Sequence, residues 1–482
     1  MKFLVVDAGT SSLRASVIDS TLRTLSEHVR PQLPASPADG LVEFDAAAMA
    51  KAAVDAASEA LGEVGPVDAM AIVNQRGSTV VWESATGRPV APGLGWQDLR
   101  TVGRCLELGA EGLHLAPNQT ATKIEALLLT AGDHDPGTLL AGTVDTWLIW
   151  NLTRGATHVT DATNAAVTGL VADDGKSWDS RRTERLGIPD AMLGRIVDTA
   201  GVVGSATALP GSPPIAGIAG DQQASLIGQG CVRRGDAKIT FGTGGMLDVV
   251  VGAERPSEGV TENGGYPIVA WRDAGEDMWG LEAIMLAAGT NVEWLRDGLG
   301  IIDSVADSSE VAGACEDTGD VWFVPALLGL GTPEWDFGAR GTFVGLTRGT
   351  EAPEMVRAVL EGVAHRGADL VDAATADADL AIDVLRIDGG MAENAVFAQA
   401  LADTTERPVE VAPMREATSL GGAFVAGIAS GAWSGFPALA DTWAPRARYE
   451  PARVPERERW REAVERAGGW HPALSALDLR PR

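Results

Sequence analysis

The sequence predicts an α/β protein made of two related domains, and three observations support this prediction. The chain has 482 residues, which is too long for one ordinary hydrophobic core and favours two large domains. Short β-rich runs alternate with longer runs rich in alanine and leucine, as expected for sheets flanked by helices. A strand followed by a Gly/Thr turn occurs near the N-terminus and again in the second half of the chain.

The alternation assigns a first set of elements. Apolar runs that end at turns are predicted to be buried strands: KFLVVD, AMAIVNQ, PPIAGIAGD, AKITFGTG, GDVWFVPAL and VLRIDGG. Longer stretches with a helical spacing of apolar residues are predicted to be amphipathic helices: DAAAMAKAAVDAASEALG, PEMVRAVLEGVAHRGADLVDAA and NAVFAQALADTT. No repeat of roughly 20 to 50 residues occurs, which argues against a solenoid.

The repeated turn divides the chain. The first copy is DAGTSSLR, from Asp7 to Arg14, and the second is DAKITFGTGG, from Asp236 to Gly245. Two such turns indicate two related halves that face each other across a cleft. Because a Pro- and Gly-rich stretch, LPGSPPIAGIAG, precedes the second copy, we predict an N-terminal domain of residues 1–229 and a C-terminal domain of residues 230–482.

Composition and charge exclude several classes of partner. The formal net charge of −28 argues against nucleic acid, because a phosphate backbone requires a basic surface. No apolar run approaches the ~18 residues of a membrane-spanning helix, so no membrane partner is expected. The opening MKFLVVDAGT lacks the pattern of a signal peptide, and three widely spaced cysteines form neither a disulfide framework nor a metal site. A cytoplasmic location is therefore expected.

The Gly-rich turns have the composition of phosphate sites. Backbone N–H groups in a tight turn bind phosphate oxygens, and Ser or Thr adds hydroxyl donors. DAGTSS, FGTGG and the later IDGGMAEN share this chemistry, although each alone is also typical of an ordinary turn after a strand. The absence of GxxxxGK[ST] excludes a P-loop NTPase, and no convincing GxGxxG dinucleotide motif is present.

These turns belong to a longer series of ordered motifs. From residue 7 to about residue 433 the chain resembles the FGGY carbohydrate kinase family in DAGTSSLR, GDQQASLIGQG, ITFGTGG, VPALLGLGTPEWDFGARGTFVGLTRGT and LRIDGGMAENAVFAQALADTTERPVEV. NQRGSTVVWE, GWQDLRT and GTVDTWLIWNLT resemble its glycerol-kinase-like branch most. The resemblance implies two actin/hexokinase-like (ribonuclease H-like) domains, each a mixed sheet flanked by helices. It also implies that ATP and an alcohol substrate bind in the cleft between them.

Asp221 follows an apolar strand and a glycine in IAGDQQ, where the residues alone support two interpretations equally. It is either a helix N-cap or a cleft-facing carboxylate that accepts the proton of a reacting hydroxyl. The resemblance places Asp221 at the catalytic base of the family and Gln222 at a residue that holds a substrate hydroxyl. The implied reaction is direct transfer of the γ-phosphate of ATP to that hydroxyl.

The resemblance also implies a nucleotide site. The matched positions are Thr10, Ser11 and Arg14 in the first turn, Gly242 and Thr243 in the second, and Gly289, Glu293, Gly390 and Asn394 further along. Glu293 stands where the family commonly has a glutamine, which weakens the case for that contact. Mg²⁺ is required by the charge of ATP, and Asp7 is the best protein ligand for it.

Arg76, Gly77, Trp96 and Asn118 complete the predicted substrate pocket. The resemblance places the Trp96 indole against the carbon chain of the substrate and makes Arg76 a hydroxyl donor. In the glycerol-kinase-like branch a glutamate follows the arginine and a tyrosine aligns with Asn118. Because Gly77 and Asn118 replace two hydroxyl-binding groups and leave extra volume, the sequence favours a polyol or sugar larger than glycerol, such as a tetritol, pentitol or ketose.

Several alternatives stay open at this point. Glycerol itself is the second candidate substrate. Gly77 is alternatively a turn residue with positive φ, the missing carboxylate then coming from Asp98 or Glu125. The same fold serves actin-like ATPases, and a non-catalytic sugar-binding protein would also keep a pocket. A small molecule is the expected partner, and a homodimer is left open.

Overall fold

A computed structural model describes residues 1–132, 134–414 and 416–477. In the first half the described strands are β1 (Lys2–Ala8), β2 (Ser12–Asp19), β3 (Thr24–Pro31), β4 (Glu43–Phe44), β5 (Ala69–Asn74), β6 (Thr79–Glu83), β7 (Gly93–Leu94), β8 (Leu139–Thr143), β9 (Val159–Asp161), β10 (Arg195–Val197), β11 (Ala200–Ser205) and β12 (Pro214–Gly220). The helices there are α1 (Ala46–Val64), α2 (Val102–Ala110), α3 (Ala121–Ala131), α4 (Val144–Leu152), α5 (Ala162–Ala166), α6 (Ser180–Arg185) and α7 (Asp221–Gly228).

The second half continues the same alternation. Its described strands are β13 (Ala237–Phe241), β14 (Gly245–Gly252), β15 (Tyr266–Asp273), β16 (Glu276–Met285), β17 (Trp322–Val324), β18 (Thr342–Val344), β19 (Leu385–Asp388), β20 (Val409–Val411) and β21 (Ala447–Tyr449). The helices are α8 (Gly289–Asp297), α9 (Asp307–Gly313), α10 (Ala352–Ala378), α11 (Ala395–Thr405), α12 (Ala417–Ala429), α13 (Arg457–Ala467) and α14 (Pro472–Ser475). Short 3₁₀ turns lie at Pro136–Thr138, Asp190–Met192, Gly390–Glu393 and Phe436–Asp441.

Two mixed sheets with the same connections form the framework. The first has the order β11-β12-β5-β1-β2-β3, in which β1, β5 and β12 are parallel and β1, β2 and β3 are antiparallel. The second has the order β15-β16-β14-β13-β19-β20-β21, in which β13, β19 and β20 are parallel and β13, β14 and β16 are antiparallel. The first sheet therefore matches the second strand for strand, apart from the added β15. This repeated order confirms the two related α/β halves.

Two helices pack between the sheets. α7 follows β12 and contacts β13, β14 and β15 of the second sheet, whereas α12 follows β20 and packs on β1, β5 and β12 of the first. The two helices approach so closely that a Cβ atom on Gly228 or Gly421 would overlap the backbone of the other helix. The halves are thus joined through a tightly packed helix pair, and the proposed boundary at 229/230 lies directly after α7.

The predicted strands and helices are present. KFLVVD forms β1, AKITF forms β13, and the alanine-rich DAAAMAKAAVDAASEALG forms α1. α1 begins at an N-cap, Asp45, whose side chain accepts a hydrogen bond from the backbone N–H of Ala48. The run GDVWFVPAL contributes only the short β17, which pairs with β18 outside the main sheets.

The strands of the second sheet alternate between a core face and a polar face. Ala237, Ile239 and Phe241 of β13 are buried in the hydrophobic core of the C-terminal half, while Lys238 and Thr240 point to the other side, towards α7. In the part of the chain that the structure describes, no helix has the length and apolar character needed to cross a bilayer.

Candidate active site

The carboxyl ends of three parallel strands meet at one edge of the first sheet. β1, β5 and β12 are neighbours, and their last residues are paired, Ala8 with Asn74 and Asn74 with Gly220. Asp7, Arg76 and Asp221 lie at this edge, where ligands commonly bind in open α/β sheets. The structure therefore brings together two carboxylates and a guanidinium that are far apart in the sequence.

Asp221 is the first residue of α7. The N-cap position is occupied by Gly220, so the helix-capping interpretation of Asp221 is wrong. Its Oδ1 accepts a hydrogen bond of 2.8 Å from the backbone N–H of Gln222 and lies 3.7 Å from Nε of Arg76. Burial raises the pKa of Asp221 above its ordinary value, and the positive charge of Arg76 partly offsets this shift. A carboxylate in this setting can accept a proton without being fully exposed to water.

Arg76 crosses from the N-terminal half to the C-terminal half. Its Nη2 donates a hydrogen bond of 2.6 Å to Oε2 of Glu282, whose side chain is 1 % exposed. The aliphatic part of Arg76 passes over Gly220, where a Cβ atom would lie 2.7 Å from Cδ of the arginine. The Nη1 atom is buried with no protein partner within hydrogen-bond distance, so it is left for a ligand oxygen.

Gly77 is a turn residue with φ of 72°, in the left-handed region that glycine favours. A Cβ atom at this position would lie 2.4 Å from the carbonyl oxygen of Asn118 and 3.7 Å from Cβ of Trp96. The inference that Gly77 leaves extra volume for a longer substrate is therefore wrong, because the Asn118 backbone fills that space. The positive-φ alternative is the one that the structure supports.

Neither carboxylate suggested as a substitute for a glutamate at position 77 faces the pocket. Asp98 is 0 % exposed and accepts hydrogen bonds from Arg100 and from the backbone of Val42. Glu125 accepts two hydrogen bonds of 2.9 Å from Arg104. Besides Asp221, the carboxylate that contacts Arg76 is Glu282, which comes from the other half of the chain and accepts a hydrogen bond from it.

Lys123 connects the backbone of three predicted substrate residues. Its Nζ is fully buried and donates to the carbonyl oxygens of Asn118 at 3.1 Å, Gly77 at 3.3 Å and Trp96 at 3.4 Å. An ammonium group has three donors and no acceptor, so this arrangement uses all of them. One wall of the predicted pocket is thus held together by a single side chain, while the Asn118 side chain itself is exposed.

The first Gly/Thr turn joins β1 to β2 and lies beside the predicted substrate residues. Nε1 of Trp96 donates a hydrogen bond of 3.0 Å to Oγ1 of Thr10, which places the indole directly next to the turn. Ser11 is exposed at the tip of the turn. Arg14, on β2, pairs with Glu416 from the other half and lies 3.6 Å from Glu27. An anion that bound Arg14 would compete with these carboxylates.

The second Gly/Thr turn joins β13 to β14 and contacts the start of α8. The carbonyl oxygen of Gly242 accepts a hydrogen bond from the backbone N–H of Gly289 at 2.9 Å, and that of Thr243 accepts one from Ala288 at 2.8 Å. A Cβ atom on Gly289 would lie 2.6 Å from the Gly242 oxygen, so this approach requires glycine. Gly242, Thr243 and Gly289 therefore form one exposed or half-exposed backbone surface of the C-terminal half, and their nucleotide role stays a prediction.

The remaining nucleotide candidates differ in their surroundings. Gly390 begins the 3₁₀ turn after β19, and no atom lies within 4 Å of a Cβ built on it, so its surface is open. Asn394 caps α11 by accepting a hydrogen bond from Phe397 and donates another of 3.0 Å to Ser308. Glu293 is exposed on α8. The nucleotide roles of these residues stay predictions.

Comparison with known proteins identifies the chain. The N-terminal domain of the FGGY family of carbohydrate kinases matches residues 2–228, and the C-terminal domain of the same family matches residues 237–430. The chain belongs to the FGGY family of carbohydrate kinases. As a member of this family it is an ATP-dependent phosphotransferase. The proposed domain boundary at 229/230 falls between the two matched ranges.

Relatives of this FGGY kinase match almost its whole length. It is 40% identical to a protein of Aromatoleum aromaticum named glycerol kinase, over 97% of this chain and 99% of the relative. It is 39% identical to glycerol kinase 2 of Thermotoga maritima, over 98% and 99% of the two chains. Among solved structures, Plasmodium falciparum glycerol kinase with ADP superposes with a TM-score of 0.89 at 28% identity, over 97% and 98% of the two chains. A gluconate kinase from Lactobacillus acidophilus, with a TM-score of 0.85 at 19% identity, covers 98% of each chain and shares the fold.

Asp7, the predicted ligand of Mg²⁺, lies near Asp221 and Arg14. Burial, and then the negative charge of Asp221, raise the pKa of Asp7 to about 7, whereas Arg14 lowers it. A bound divalent cation would stabilise the ionised carboxylate and so offset the effect of burial and of the Asp221 charge. Within the described residues no group of three or more His, Cys, Asp or Glu side chains could hold a metal. One carboxylate combined with phosphate oxygens is a common arrangement for Mg²⁺, so the site fits that ion.

Sequence reasoning missed three charged residues of the site. Each of them lies within a largely apolar run, where Lys238 and Glu282 are the only charge and Lys123 is accompanied by one glutamate, and each is almost fully buried. Such charges almost always have a specific partner, because an unpaired buried charge is costly. The sequence shows such a charge among apolar residues in ATKIEALL, AKITF and WGLEAIM. It does not show which residue pairs with each charge.

We predict that Lys123→Met changes how stability depends on pH. Burial lowers the pKa of Lys123 to about 7 from 10.5. Between these pH values the unfolded chain binds a proton that the folded chain does not, so the free energy of unfolding rises with pH. Below about pH 7 both states are protonated and this contribution is constant. The stability of the wild type relative to Lys123→Met should therefore rise from pH 7 to pH 10, measured by urea unfolding.

Lys51→Met is the matched control, because the side chain of Lys51 is 76% exposed on α1. Its stability relative to the wild type should stay constant over the same pH range. An equally flat profile for Lys123→Met would contradict the prediction.

Proposed function

We propose that this FGGY kinase transfers the γ-phosphate of ATP to a hydroxyl group of glycerol. Relatives named glycerol kinase are about 40% identical over almost the entire chain, which supports this substrate class. The observation that carries the proposal is the arrangement of Arg76, Asp221 and Gln222 at the cleft edge of the first sheet, with Trp96 beside the first Gly/Thr turn. These residues offer hydroxyl donors, a base and an apolar face for a carbon chain.

In the proposed reaction a hydroxyl oxygen of the acceptor attacks the γ-phosphorus of ATP. A new O–P bond forms, the bond from the γ-phosphorus to the bridging oxygen breaks, and ADP leaves with that electron pair. The hydroxyl proton passes to the Asp221 carboxylate. Arg76 and Gln222 hold acceptor oxygens, so much of the acceleration comes from positioning the two reactants.

The two Gly/Thr turns would hold the phosphates from opposite sides. Thr10 and Ser11 lie next to the acceptor residues, and Gly242, Thr243 and Gly289 belong to the other half. Mg²⁺, held by Asp7 together with phosphate oxygens, would supply positive charge that neutralises the transferring group. The cytoplasmic location and the homodimer stay predictions.

A polyol or ketose of four to six carbons is the second candidate acceptor. The observation that favours it is the exposed Asn118 side chain beside a glycine, where the glycerol-kinase-like branch implies a tyrosine and a glutamate. Losing two buried hydrogen-bond partners costs about 1–3 kcal/mol each, which would weaken glycerol recognition. Because no volume is free at Gly77, a longer acceptor would have to extend past the Asn118 side chain.

An ADP-release assay over glycerol, tetritols, pentitols, inositols and ketoses tests both candidates. We expect the highest kcat/KM with glycerol, and Asp221→Asn serves as the blank. A higher kcat/KM with a longer polyol would favour the second candidate over the first. ADP release that does not change with any alcohol would contradict both, because phosphoryl transfer to an acceptor requires one.

A further inference from the structure

A row of ionisable side chains crosses the whole second sheet. The residues occupy directly opposed positions on neighbouring strands, in the order Tyr266, Glu282, Asp248, Lys238, Arg386, Glu410 and Arg448. We refer to this row as the polar ladder. It lies on the sheet face that is turned away from the hydrophobic core and towards α7, as shown by a hydrogen bond of 2.5 Å from Arg386 to the carbonyl oxygen of Gln229.

Glu282 links the polar ladder to the acceptor arginine. One carboxylate oxygen accepts a hydrogen bond of 2.6 Å from Arg76, and the other accepts one of 2.6 Å from the hydroxyl of Tyr266. Although burial alone would raise the pKa of Glu282, the Arg76 guanidinium holds it below its ordinary value, so the carboxyl is ionised. A rigid anion therefore fixes the direction in which Arg76 points.

Lys238 links the polar ladder to the acceptor glutamine in the same way. Its Nζ is 0 % exposed and donates to Oε1 of Gln222 at 2.7 Å and to Thr240 at 2.8 Å, and it lies 2.7 Å from Asp248. Because an ammonium group can only donate, it selects the amide oxygen of Gln222. The amide nitrogen, with two donors, is then left for an oxygen of the acceptor.

Both links cross from the second sheet to residues of the N-terminal half. Arg76 and Gln222 are the two polar residues proposed to hold acceptor hydroxyls, and each is fixed by a buried charge on a strand of the C-terminal half. A buried charge is costly unless its partner is well placed, so each of these two charges requires the residue it contacts. The most deeply buried charges of the polar ladder, Lys238, Asp248 and Glu282, are also the ones beside the acceptor residues.

We propose that Glu282 and Lys238 are positioning residues of the acceptor site, and that they act through Arg76 and Gln222 respectively. This inference rests on the proposed function, because it assumes that Arg76 and Gln222 bind the acceptor. In this arrangement the C-terminal half orients the acceptor residues of the N-terminal half. Acceptor binding therefore depends on the relative placement of both domains.

The variants Glu282→Gln and Lys238→Met test the proposal by steady-state kinetics. Each removes the charge that holds an acceptor residue, and Lys238→Met also removes the contacts with Thr240 and Asp248. We expect the KM for the acceptor to rise by about tenfold to a hundredfold, with the KM for ATP unchanged. Tyr266→Phe removes only the second hydrogen bond on Glu282, so it is a milder variant whose acceptor KM should rise less. It remains informative if a charge-removing variant does not fold.

Glu410→Gln is the matched control. Glu410 belongs to the same polar ladder and pairs with Arg448 at 2.5 Å, but it lies on β20 and contacts no acceptor residue among those that the structure describes. Its acceptor KM should equal that of the wild type. If the acceptor KM rises equally in Glu410→Gln and in Glu282→Gln, removing any charge of the polar ladder weakens acceptor binding. That result would overturn the positioning roles of Glu282 and Lys238.

Double variants separate positioning from general damage. If Lys238 acts through Gln222, adding Lys238→Met to Gln222→Ala should raise the acceptor KM no further, and the same holds for Glu282→Gln added to Arg76→Lys. Fully additive effects would overturn the proposal.

The single variants distinguish a failure of this proposal from a failure of the proposed function. If Gln222→Ala and Arg76→Lys raise the acceptor KM but Lys238→Met and Glu282→Gln do not, only the positioning roles fail. If neither Gln222→Ala nor Arg76→Lys changes the acceptor KM, the proposed acceptor site is wrong as well.

Discussion

Asp221→Asn is expected to lower kcat by about a hundredfold to ten-thousandfold, the usual contribution of a general base. Asparagine has the same size and can still accept the hydrogen bond from the backbone of Gln222, but it cannot take up the hydroxyl proton. The acceptor KM should change little, because Arg76 keeps its hydrogen bond to Glu282. Initial rates of ADP release at saturating ATP and varied acceptor measure both constants.

The pH profile gives an independent test of the same role. Burial raises the pKa of Asp221, so the wild-type kcat/KM should rise with pH over a range above the ordinary aspartate value of 3.8. This rise of kcat/KM with pH should be absent in Asp221→Asn. Asp179→Asn is the control, since Asp179 is a buried N-cap of α6 and asparagine caps helices equally well. A fall in kcat of less than about tenfold in Asp221→Asn would show that Asp221 positions the acceptor and is not the base.

The sequence was sufficient for features that depend on local chemistry. Asp7 lies near the end of a strand pattern, and Thr10 and Asp221 follow one. A residue at the carboxyl end of a parallel strand lies at the ligand-binding edge. The Gly/Thr turns are equally local, because glycine is required where backbone atoms approach closely, as between Gly242 and Gly289. Such features are encoded within a few residues, so the fold could be predicted and residues for the site could be proposed.

The sequence was not sufficient for contacts that depend on sheet register. Glu282 is separated from Arg76 by 206 residues, and their ion pair exists only because the second sheet brings β16 opposite the N-terminal half. The Lys238 contact with Gln222 likewise requires α7 to pack on the polar face of β13. A single sequence shows that such charges are buried but not which partner each one meets.

Gly77→Glu is expected to destabilise the protein and to lower kcat/KM for glycerol. By sequence comparison alone this substitution would restore a hydroxyl-binding carboxylate and improve glycerol recognition. In the structure φ of 72° costs a side chain about 1–3 kcal/mol, and overlap with the Asn118 carbonyl adds about 1–3 kcal/mol. The free energy of unfolding should therefore fall by about 2–6 kcal/mol, measured by urea unfolding.

Two alanine variants divide this cost into its parts. Gly187 has φ of 65°, and no atom lies within 4 Å of the position that a Cβ would take there, so Gly187→Ala reports the backbone cost alone. Gly77→Ala adds the overlap with Asn118, and the difference between the two variants measures it. If Gly77→Ala costs no more than Gly187→Ala and Gly77→Glu gains activity with glycerol, the Asn118 carbonyl can move aside. Position 77 would then determine acceptor choice through the missing carboxylate. A large difference between the two alanine variants means instead that the Asn118 carbonyl excludes a side chain at position 77.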